Sequence, residues 1–179
     1  MSLAAQERGL VMVYTGNGKG KTTAALGQAL RAIGHGRKVC VVQFMKGSKN
    51  YGELQAAARY LPDLEIVQSG LETFVHRENP AQIDIDLARR GIQAARNAAA
   101  SGKYQLLILD EINVALDFRL LSLEEVIRFI QEKPPRLDLI LTGRGAAQEI
   151  VELADLVSEL LEVKHHYSTG MEAREGIEF

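Results

Sequence analysis

The sequence has no tryptophan, one cysteine among 179 residues, and no apolar run near the length of a membrane span. A lone cysteine, Cys40, excludes an intramolecular disulfide, and its place in the run VCVVQF indicates a small buried apolar residue. A membrane-spanning helix needs roughly 20 apolar residues, so we expect no membrane segment. The opening MSLAAQERG lacks the apolar core of a signal peptide. We therefore expect a cytoplasmic protein.

Strong charge of either sign is also missing, because the formal net charge is -2. This balance gives no overall attraction to nucleic acid or to an anionic membrane, so neither is an expected partner. Hydrophobic residues at 46% and charged residues at 25% are typical of a globular chain. The length fits one domain of ordinary size, which we expect to span residues 1–179.

Short apolar runs alternate along the chain with longer helical patterns. Several runs are apolar at consecutive positions, as in strands buried on both faces of a parallel sheet. The runs cover residues 9–16, 38–45, 64–70, 106–112, 137–144 and 156–163. Helices are predicted at 21–34, roughly 52–60, 82–101, 122–132 and 146–153. The alternation predicts an α/β fold with a mostly parallel sheet and helices on both faces.

Two local signals refine this pattern. Ser122 is a predicted N-cap with Glu125 as its capping-box partner, and Pro134-Pro135 ends the helix that follows. The stretch 67–82 is the one long irregular segment, and loops of this length in compact domains are usually functional or disordered. We predict a substrate loop there, with His76 as its most interesting side chain.

The segment TGNGKGKTT, residues 15–23, lies between a predicted strand and a predicted helix. Its three glycines let successive backbone N–H groups turn inward, and the helix directs its positive N-terminal end at the same point. Lys21 can reach a phosphate oxygen, the Thr22 hydroxyl can ligate Mg²⁺, and Thr23 supplies a second hydroxyl. These features predict a phosphate-binding loop. The glycines are Gly16, Gly18 and Gly20.

The sequence of this loop departs from the standard phosphate-loop motif. A standard G-x-x-x-x-G-K-[ST] motif ending at Lys21-Thr22 requires glycine at position 15, where this chain has Thr15. An altered loop can still hold phosphates but present them differently. Lys19 adds a second cation, which we interpret either as a phosphate contact or as a solvated surface lysine.

Acidic and basic residues follow other predicted strands at the same edge of the sheet. Asp110 and Glu111 end the run LLILDE, and Arg144 follows the run LDLILTG. Ligands of open parallel sheets bind beyond the carboxyl ends of the strands, so both carboxylates should approach the phosphate loop and help to hold Mg²⁺. Arg144 is predicted to contact phosphates or a partner, with a structural salt bridge as the alternative. Lys46, after the second run, is also placed to line the site.

The remaining polar groups give no sign of a protein nucleophile or of a metal cluster built by histidines. His35 lies in a Gly-His-Gly turn, and His165-His166 begin a polar tail, so we expect all three at the surface. Arg89 and Arg90 are expected on the solvated face of their helix. The chain contains no Ser/His/Asp arrangement in a recognisable context.

Five stretches together resemble the P-loop type of ATP-dependent corrinoid (cob(I)alamin) adenosyltransferases, over nearly the whole chain. They are YTGNGKGKTTAALG (14–27), VVQFMKG (41–47), LLILDEIN (106–113), TGRGAAQEIVELADLVSEL (142–160) and KHHYSTGMEAREGIEF (164–179). The resemblance implies a RecA-like P-loop NTPase fold, commonly in a homodimer. It also implies transfer of the 5′-deoxyadenosyl group of MgATP to the Co(I) of a reduced corrinoid, with release of triphosphate. In this family the altered loop holds the triphosphate in the reverse direction.

The resemblance assigns residues one by one. Positions 17–22 match the ATP loop of the family, with Asn17 and Gly18 among them, Lys21 as its phosphate-binding lysine and Thr22 as its Mg²⁺-ligating hydroxyl. Glu111 matches the acidic residue that helps to hold the metal. A flavodoxin-like or flavin reductant is a partner implied at family level.

Two departures from the family pattern stand out. Some members carry a Gly-Phe-Thr-Trp segment against the corrin face, whereas this chain has GLETFVHREN (70–79), where Phe74 is the candidate. A longer N-terminal cover found in some members is expected to be shortened here. Two alternatives stay open from the residues: an ordinary P-loop ATPase or small-molecule kinase, and a nucleotide-dependent corrinoid-binding module.

Overall fold

The computed structural model describes residues 8–179, so the expectations about residues 1–7 lie outside the described part. Six strands in that part form one sheet, and all five pairings between neighbours are parallel. The order is β3-β2-β4-β5-β1-β6. The strands are β1 (Val11–Thr15), β2 (Val39–Phe44), β3 (Leu64–Ser69), β4 (Leu106–Asp110), β5 (Asp138–Thr142) and β6 (Leu156–Glu159).

Within residues 8–179, six α-helices connect and cover these strands. They are α1 (Lys21–Gly34), α2 (Gly52–Tyr60), α3 (Gln82–Ala100), α4 (Ile112–Asp117), α5 (Leu123–Glu132) and α6 (Gln148–Leu153), followed by a 3₁₀ helix at His166–Thr169. The RecA-like α/β prediction, with a mostly parallel sheet, is confirmed. In the described part of the chain, no helix is long and apolar enough to cross a membrane.

Buried apolar side chains lie on both faces of the sheet, as the consecutive apolar runs predict. On one face α3, α4, α5 and α6 pack against inward residues such as Val42 and Leu109. On the other face α1 packs its alanines, Ala25 and Ala29, against residues such as Ile108. The small alanine side chains let α1 pack close to the sheet. The first turn of α1 therefore lies beside the carboxyl ends of the strands.

The outermost strand, β6, differs from the expectation of a buried strand. All four of its residues are exposed, because β6 pairs only with β1 and lies at the edge of the sheet. Its first residues, Leu156 and Val157, are the exposed apolar ones.

The boundaries that follow β4 and β3 also differ from the sequence-based predictions. Strand β4 ends at Asp110, and the helix α4, which periodicity did not reveal, begins at Ile112. The irregular segment after β3 covers only 70–81, because β3 continues to Ser69. The Ser122 N-cap is confirmed by a 3.2 Å hydrogen bond from the Glu125 backbone N–H, and α5 ends before Pro134.

Candidate active site

A cavity with a volume of about 590 Å³ lies at the carboxyl edge of the sheet. Parallel pairing brings the ends of β1, β2, β4 and β5 to this edge, which is where open α/β sheets bind ligands. Ten of the residues predicted at the site line the cavity: Asn17, Gly18, Lys19, Gly20, Lys21, Thr22, Thr23, Lys46, Glu111 and Arg144.

The glycine loop is shaped by the segment that follows β6. The Gly18 N–H donates to the Leu160 carbonyl over 2.7 Å, so this donor is engaged by the protein and does not turn toward the cavity as expected. A Cβ added at Gly16 would lie 2.4 Å from the same carbonyl oxygen, and Gly16 has a φ of +93°. Glycine is therefore required here both by conformation and by close approach of two backbones.

This packing predicts the effect of adding one methyl group to the loop. We expect Gly16→Ala to lower both the melting temperature and the nucleotide affinity, because the backbone clash and the left-handed φ must both be relieved. Gly27→Ala, on helix α1, is the matched control, because a Cβ at position 27 would have no contact within 4 Å. That change should stabilise the protein by about 0.5–1 kcal/mol. Calorimetry and nucleotide titration of both variants check the contrast, and equal behaviour would contradict it.

Lys21 holds the loop from inside. Its side chain is buried, and its Nζ donates to the carbonyls of Gly16 and Gly18, at 2.7 Å each. Burial lowers the pKa of Lys21, the charges of Glu111 and Asp110 oppose this shift, and Arg144 adds to it. The ammonium group therefore lies within the phosphate loop, bound to carbonyl oxygens that a phosphate can replace as acceptors.

Asp110 is the centre of a hydrogen-bonded cluster beneath the cavity. Its carboxylate is buried and accepts from the Thr22 hydroxyl over 2.8 Å and from the Thr142 hydroxyl over 2.7 Å. The Lys46 ammonium donates to its other oxygen over 2.7 Å. Burial alone would lower the pKa of Lys46, but the charge of Asp110 and this hydrogen bond raise it overall. The cluster ties the ends of β2, β4 and β5 to the first turn of α1.

Glu111 lies at the cavity wall with fewer partners than Asp110. Its backbone N–H donates to the Thr142 hydroxyl over 2.9 Å, and its φ of +63° marks a tight turn between β4 and α4. Burial raises the pKa of Glu111, and the charge of Asp110 raises it further, while Lys46 and Lys21 oppose the shift. A neighbouring cation would stabilise the ionised form of this carboxylate.

The donor set fits Mg²⁺ brought in by a nucleotide. Mg²⁺ usually takes one or two carboxylates, with substrate phosphates and waters completing its shell. Thr22 and Glu111 line the cavity and Asp110 lies directly beneath Thr22. Among the described residues, no group of three or more His, Cys, Asp or Glu side chains is arranged to hold a metal.

Two predicted cations occupy distinct positions around the cavity. Arg144 is exposed and lines the cavity. Its positive charge acts to lower the pKa of both Lys21 and Glu111. Lys19 is exposed, and its Nζ donates to the Ile177 carbonyl over 3.1 Å. Lys19 thus joins the loop to the C-terminal tail, an arrangement that neither of its two interpretations included.

Phe74, predicted to meet the corrinoid, lies outside this cavity. Its side chain is 100% exposed, in the irregular segment 70–81 that also carries the exposed His76. Its role stays a prediction.

Sequence reasoning missed several residues that line the cavity. Tyr51 and Glu53 come from the loop and first turn at α2, and residues 176–179 come from the chain end. His165, expected at the surface, is half-buried and lines the cavity as well. Periodicity carries no signal for such long-range contacts. The one available signal was sequence position. Tyr51 and Glu53 follow β2 shortly after Lys46, which was predicted to line the site.

His166, also expected at the surface, is half-buried, whereas the expectations for four other residues are met. Cys40 is buried, and burial raises the pKa of its thiol to about 12, which disfavours the thiolate form. His35, Arg89 and Arg90 are exposed.

The site combines a strand–glycine loop–helix unit, a buried lysine within that loop, and a buried aspartate at the end of β4, the next strand but one from β1 in the sheet. These features define a P-loop nucleotide-binding protein of the α/β class. The family model of ATP:corrinoid adenosyltransferase BtuR/CobO/CobP matches residues 7–179. The chain belongs to this family.

Curated relatives agree with this assignment. The chain is 40% identical over 176 residues to the corrinoid adenosyltransferase of Escherichia coli (strain K12), with 98% of this chain and 88% of the relative covered. It is 39% identical over 176 residues to the corrinoid adenosyltransferase of Pseudomonas aeruginosa, with coverage of 98% and 86%. The corrinoid adenosyltransferase CobA of Salmonella typhimurium is 38% identical over 176 residues, with coverage of 98% and 88%.

Proposed function

We propose that this protein transfers the 5′-deoxyadenosyl group of MgATP to the Co(I) of a reduced corrinoid and releases triphosphate. The observation that carries the proposal is the juxtaposition of Lys21 and Thr22 with the buried Asp110, in a chain of the adenosyltransferase family. A phosphate loop with Thr15 in place of the first glycine accompanies this arrangement.

The reaction needs no nucleophile from the protein. Co(I) supplies an electron pair to ribose C5′, the C5′–O bond breaks, and the triphosphate leaves with that bond pair. The product is an adenosyl-corrinoid with cobalt formally oxidised to Co(III). The protein's contribution is then to align Co(I) with C5′ and to keep water from the reactants.

Stabilisation of the departing triphosphate falls to the cations around the loop. In this proposal Lys21 donates to phosphate oxygens from within the loop, and Arg144 faces them across the cavity. Preorganised donors aimed at developing negative charge are worth more than donors that must reorganise. The backbone at residues 16–20 and the hydroxyl of Thr23 complete the phosphate site.

Mg²⁺ would be held by Thr22 and Glu111, with Asp110 beneath them. When bound, Mg²⁺ supplies charge neutralisation to the triphosphate. Asp110 keeps the Thr22 hydroxyl oriented toward that position through its 2.8 Å hydrogen bond.

The corrinoid is proposed to contact the segment 70–81, with Phe74 on the corrin face. The fully exposed ring of Phe74 is available for such a contact. We also propose a single domain over 1–179, a homodimer and a cytoplasmic location. A flavodoxin-like or flavin reductant is proposed to reduce the cobalt of the corrinoid to Co(I).

The test is an anaerobic reaction of the protein with MgATP and chemically reduced cobalamin. We expect loss of the Co(I) spectrum, appearance of a light-sensitive adenosyl-corrinoid, and stoichiometric triphosphate among the separated nucleotide products. ADP and phosphate with an unchanged corrinoid would overturn the proposal in favour of an ordinary P-loop ATPase. ATP binding without any turnover would favour a nucleotide-dependent binding module.

A further inference from the structure

A buried glutamine interrupts an otherwise apolar strand of the sheet. Gln43 lies on β2, between Val42 and Phe44, and is fully buried. A buried amide lowers stability unless its hydrogen bonds are satisfied. Its presence in an otherwise apolar strand therefore requires a specific partner.

That partner is the carboxylate of Glu53. The Gln43 side-chain NH₂ donates to Glu53 Oε1 over 2.8 Å. The Gln43 oxygen accepts from Gln68 Nε2 over 3.4 Å, and Gln68 also donates to the Ser48 carbonyl over 2.9 Å. The network joins β2, β3 and the loop before α2, so the Glu53 carboxylate is held in one position. Carboxylates held in this way are preorganised for ligand binding.

Glu53 lines the same cavity as the phosphate loop, and its second carboxylate oxygen has no hydrogen bond within the described part of the chain. A carboxylate repels phosphate, so this wall does not suit the triphosphate. The groups of a nucleoside triphosphate that can donate to it are the ribose hydroxyls and the amino group of adenine. Tyr51 and Leu26 line the cavity nearby and give this wall an aromatic and apolar surface.

The position of Glu53 favours the ribose over the base. Glu53 and Lys46 line the same cavity, and the Lys46 ammonium donates to Asp110 beneath the phosphate loop. Glu53 is thus close to the phosphate-facing cations, and the ribose is the part of a nucleotide next to the phosphates. Carboxylates that accept from ribose hydroxyls are a recurrent solution in α/β nucleotide sites.

We propose that Glu53, held by Gln43, accepts a hydrogen bond from a ribose hydroxyl of ATP and makes the site selective for nucleotides that carry it. This inference rests on the proposed function for the identity of the nucleotide. Glu53 is then a specificity-determining residue, and Gln43 is its positioning residue.

The experiment is a set of calorimetric titrations with Mg²⁺ complexes of ATP, 2′-deoxy-ATP, 3′-deoxy-ATP and ITP. A hydrogen bond to a charged group implies that the wild type binds one of the deoxy analogues about 10- to 100-fold more weakly than ATP. Glu53→Ala should bind ATP and that analogue equally. Glu53→Gln, which keeps the shape without the charge, should show an intermediate ratio. The ITP-to-ATP ratio should be the same in all three proteins.

Glu124→Ala, an exposed carboxylate on α5, is the control for the loss of one negative charge and should preserve wild-type ratios. Undiminished discrimination against both deoxy analogues in Glu53→Ala would overturn the inference. A change confined to the ITP ratio would assign Glu53 to the base instead. Equal weakening of every nucleotide, reversed by added Mg²⁺, would assign it to the metal.

The same protein samples separate this inference from the proposed function. Hydroxyl discrimination by a wild type that forms no adenosyl-corrinoid would leave the Glu53 inference standing and overturn the transferase. If the wild type transfers efficiently but binds ATP and both deoxy analogues with equal affinity, the transferase would stand and the Glu53 inference would be overturned.

Discussion

Replacing Lys21 with alanine should reduce adenosyl transfer roughly 10²–10³-fold, the range observed when one preorganised donor to a developing anion is removed. The substitution removes a charge-assisted contact with the triphosphate, worth about 1.5–3 kcal/mol. It also removes the two hydrogen bonds that hold the carbonyls of Gly16 and Gly18, so the loop loses its shape as well. The anaerobic transfer assay under saturating and limiting ATP measures both contributions.

Lys19→Ala is the matched control for this prediction. Lys19 lies two residues earlier in the same loop, but its ammonium donates to the Ile177 carbonyl of the tail. We expect its loss to reduce transfer by less than about tenfold, because a single exposed hydrogen bond is worth about 0.5–1.5 kcal/mol. Both variants should remain folded, and the melting curve of Lys19→Ala should lie near wild type. Wild-type turnover in Lys21→Ala would show that the triphosphate is bound elsewhere.

The second large effect concerns stability. Asp110→Leu should lower the free energy of unfolding by about 3–5 kcal/mol, because it leaves the largely buried Lys46 ammonium without its counter-ion. It also removes the acceptor shared by the Thr22 and Thr142 hydroxyls. Urea denaturation measures this loss, and transfer should fall with it since Thr22 is no longer oriented.

The double variant Asp110→Leu/Lys46→Met isolates the ion pair. Removing both buried charges is often much less costly than removing one, so the double variant should recover part of the lost stability. The exposed pair of Arg77 and Asp117, 2.6 Å apart, is the control, and Arg77→Ala should cost less than about 1 kcal/mol. No recovery in the double variant would mean that Lys46 and Asp110 are not energetically coupled.

The elements that sequence reasoning located best are those with a local signal. Helices α1 and α2 have the predicted bounds, because their apolar periodicity and flanking loops are decided by neighbouring residues. The parallel sheet follows from consecutive apolar residues in runs such as LLILD. Helix α4 was missed since six residues directly after a strand are too few for a periodic pattern.

The same distinction applies to the site. The phosphate loop, Glu111 and Arg144 were predicted to meet because strand ends in a parallel sheet share one edge. Residues 17–23 of the loop, Glu111 and Arg144 do line one cavity. The role of residues 160–161 behind the loop could not be predicted, because it depends on how closely two backbones approach. Glu53 was missed for a related reason. Its partner Gln43 looks like an isolated polar residue until the fold brings the two together.

The most direct measurement uses ATP labelled with ¹⁸O at the ribose 5′ oxygen, the atom that bridges C5′ and the α-phosphorus. The central claim is that Co(I) attacks carbon while the loop keeps the triphosphate whole. Mass spectrometry of the products should then find the label in released triphosphate, in an amount equal to the adenosyl-corrinoid formed. Unlabelled triphosphate, or label retained on a nucleoside or on ADP, would place bond cleavage at phosphorus and contradict the claim.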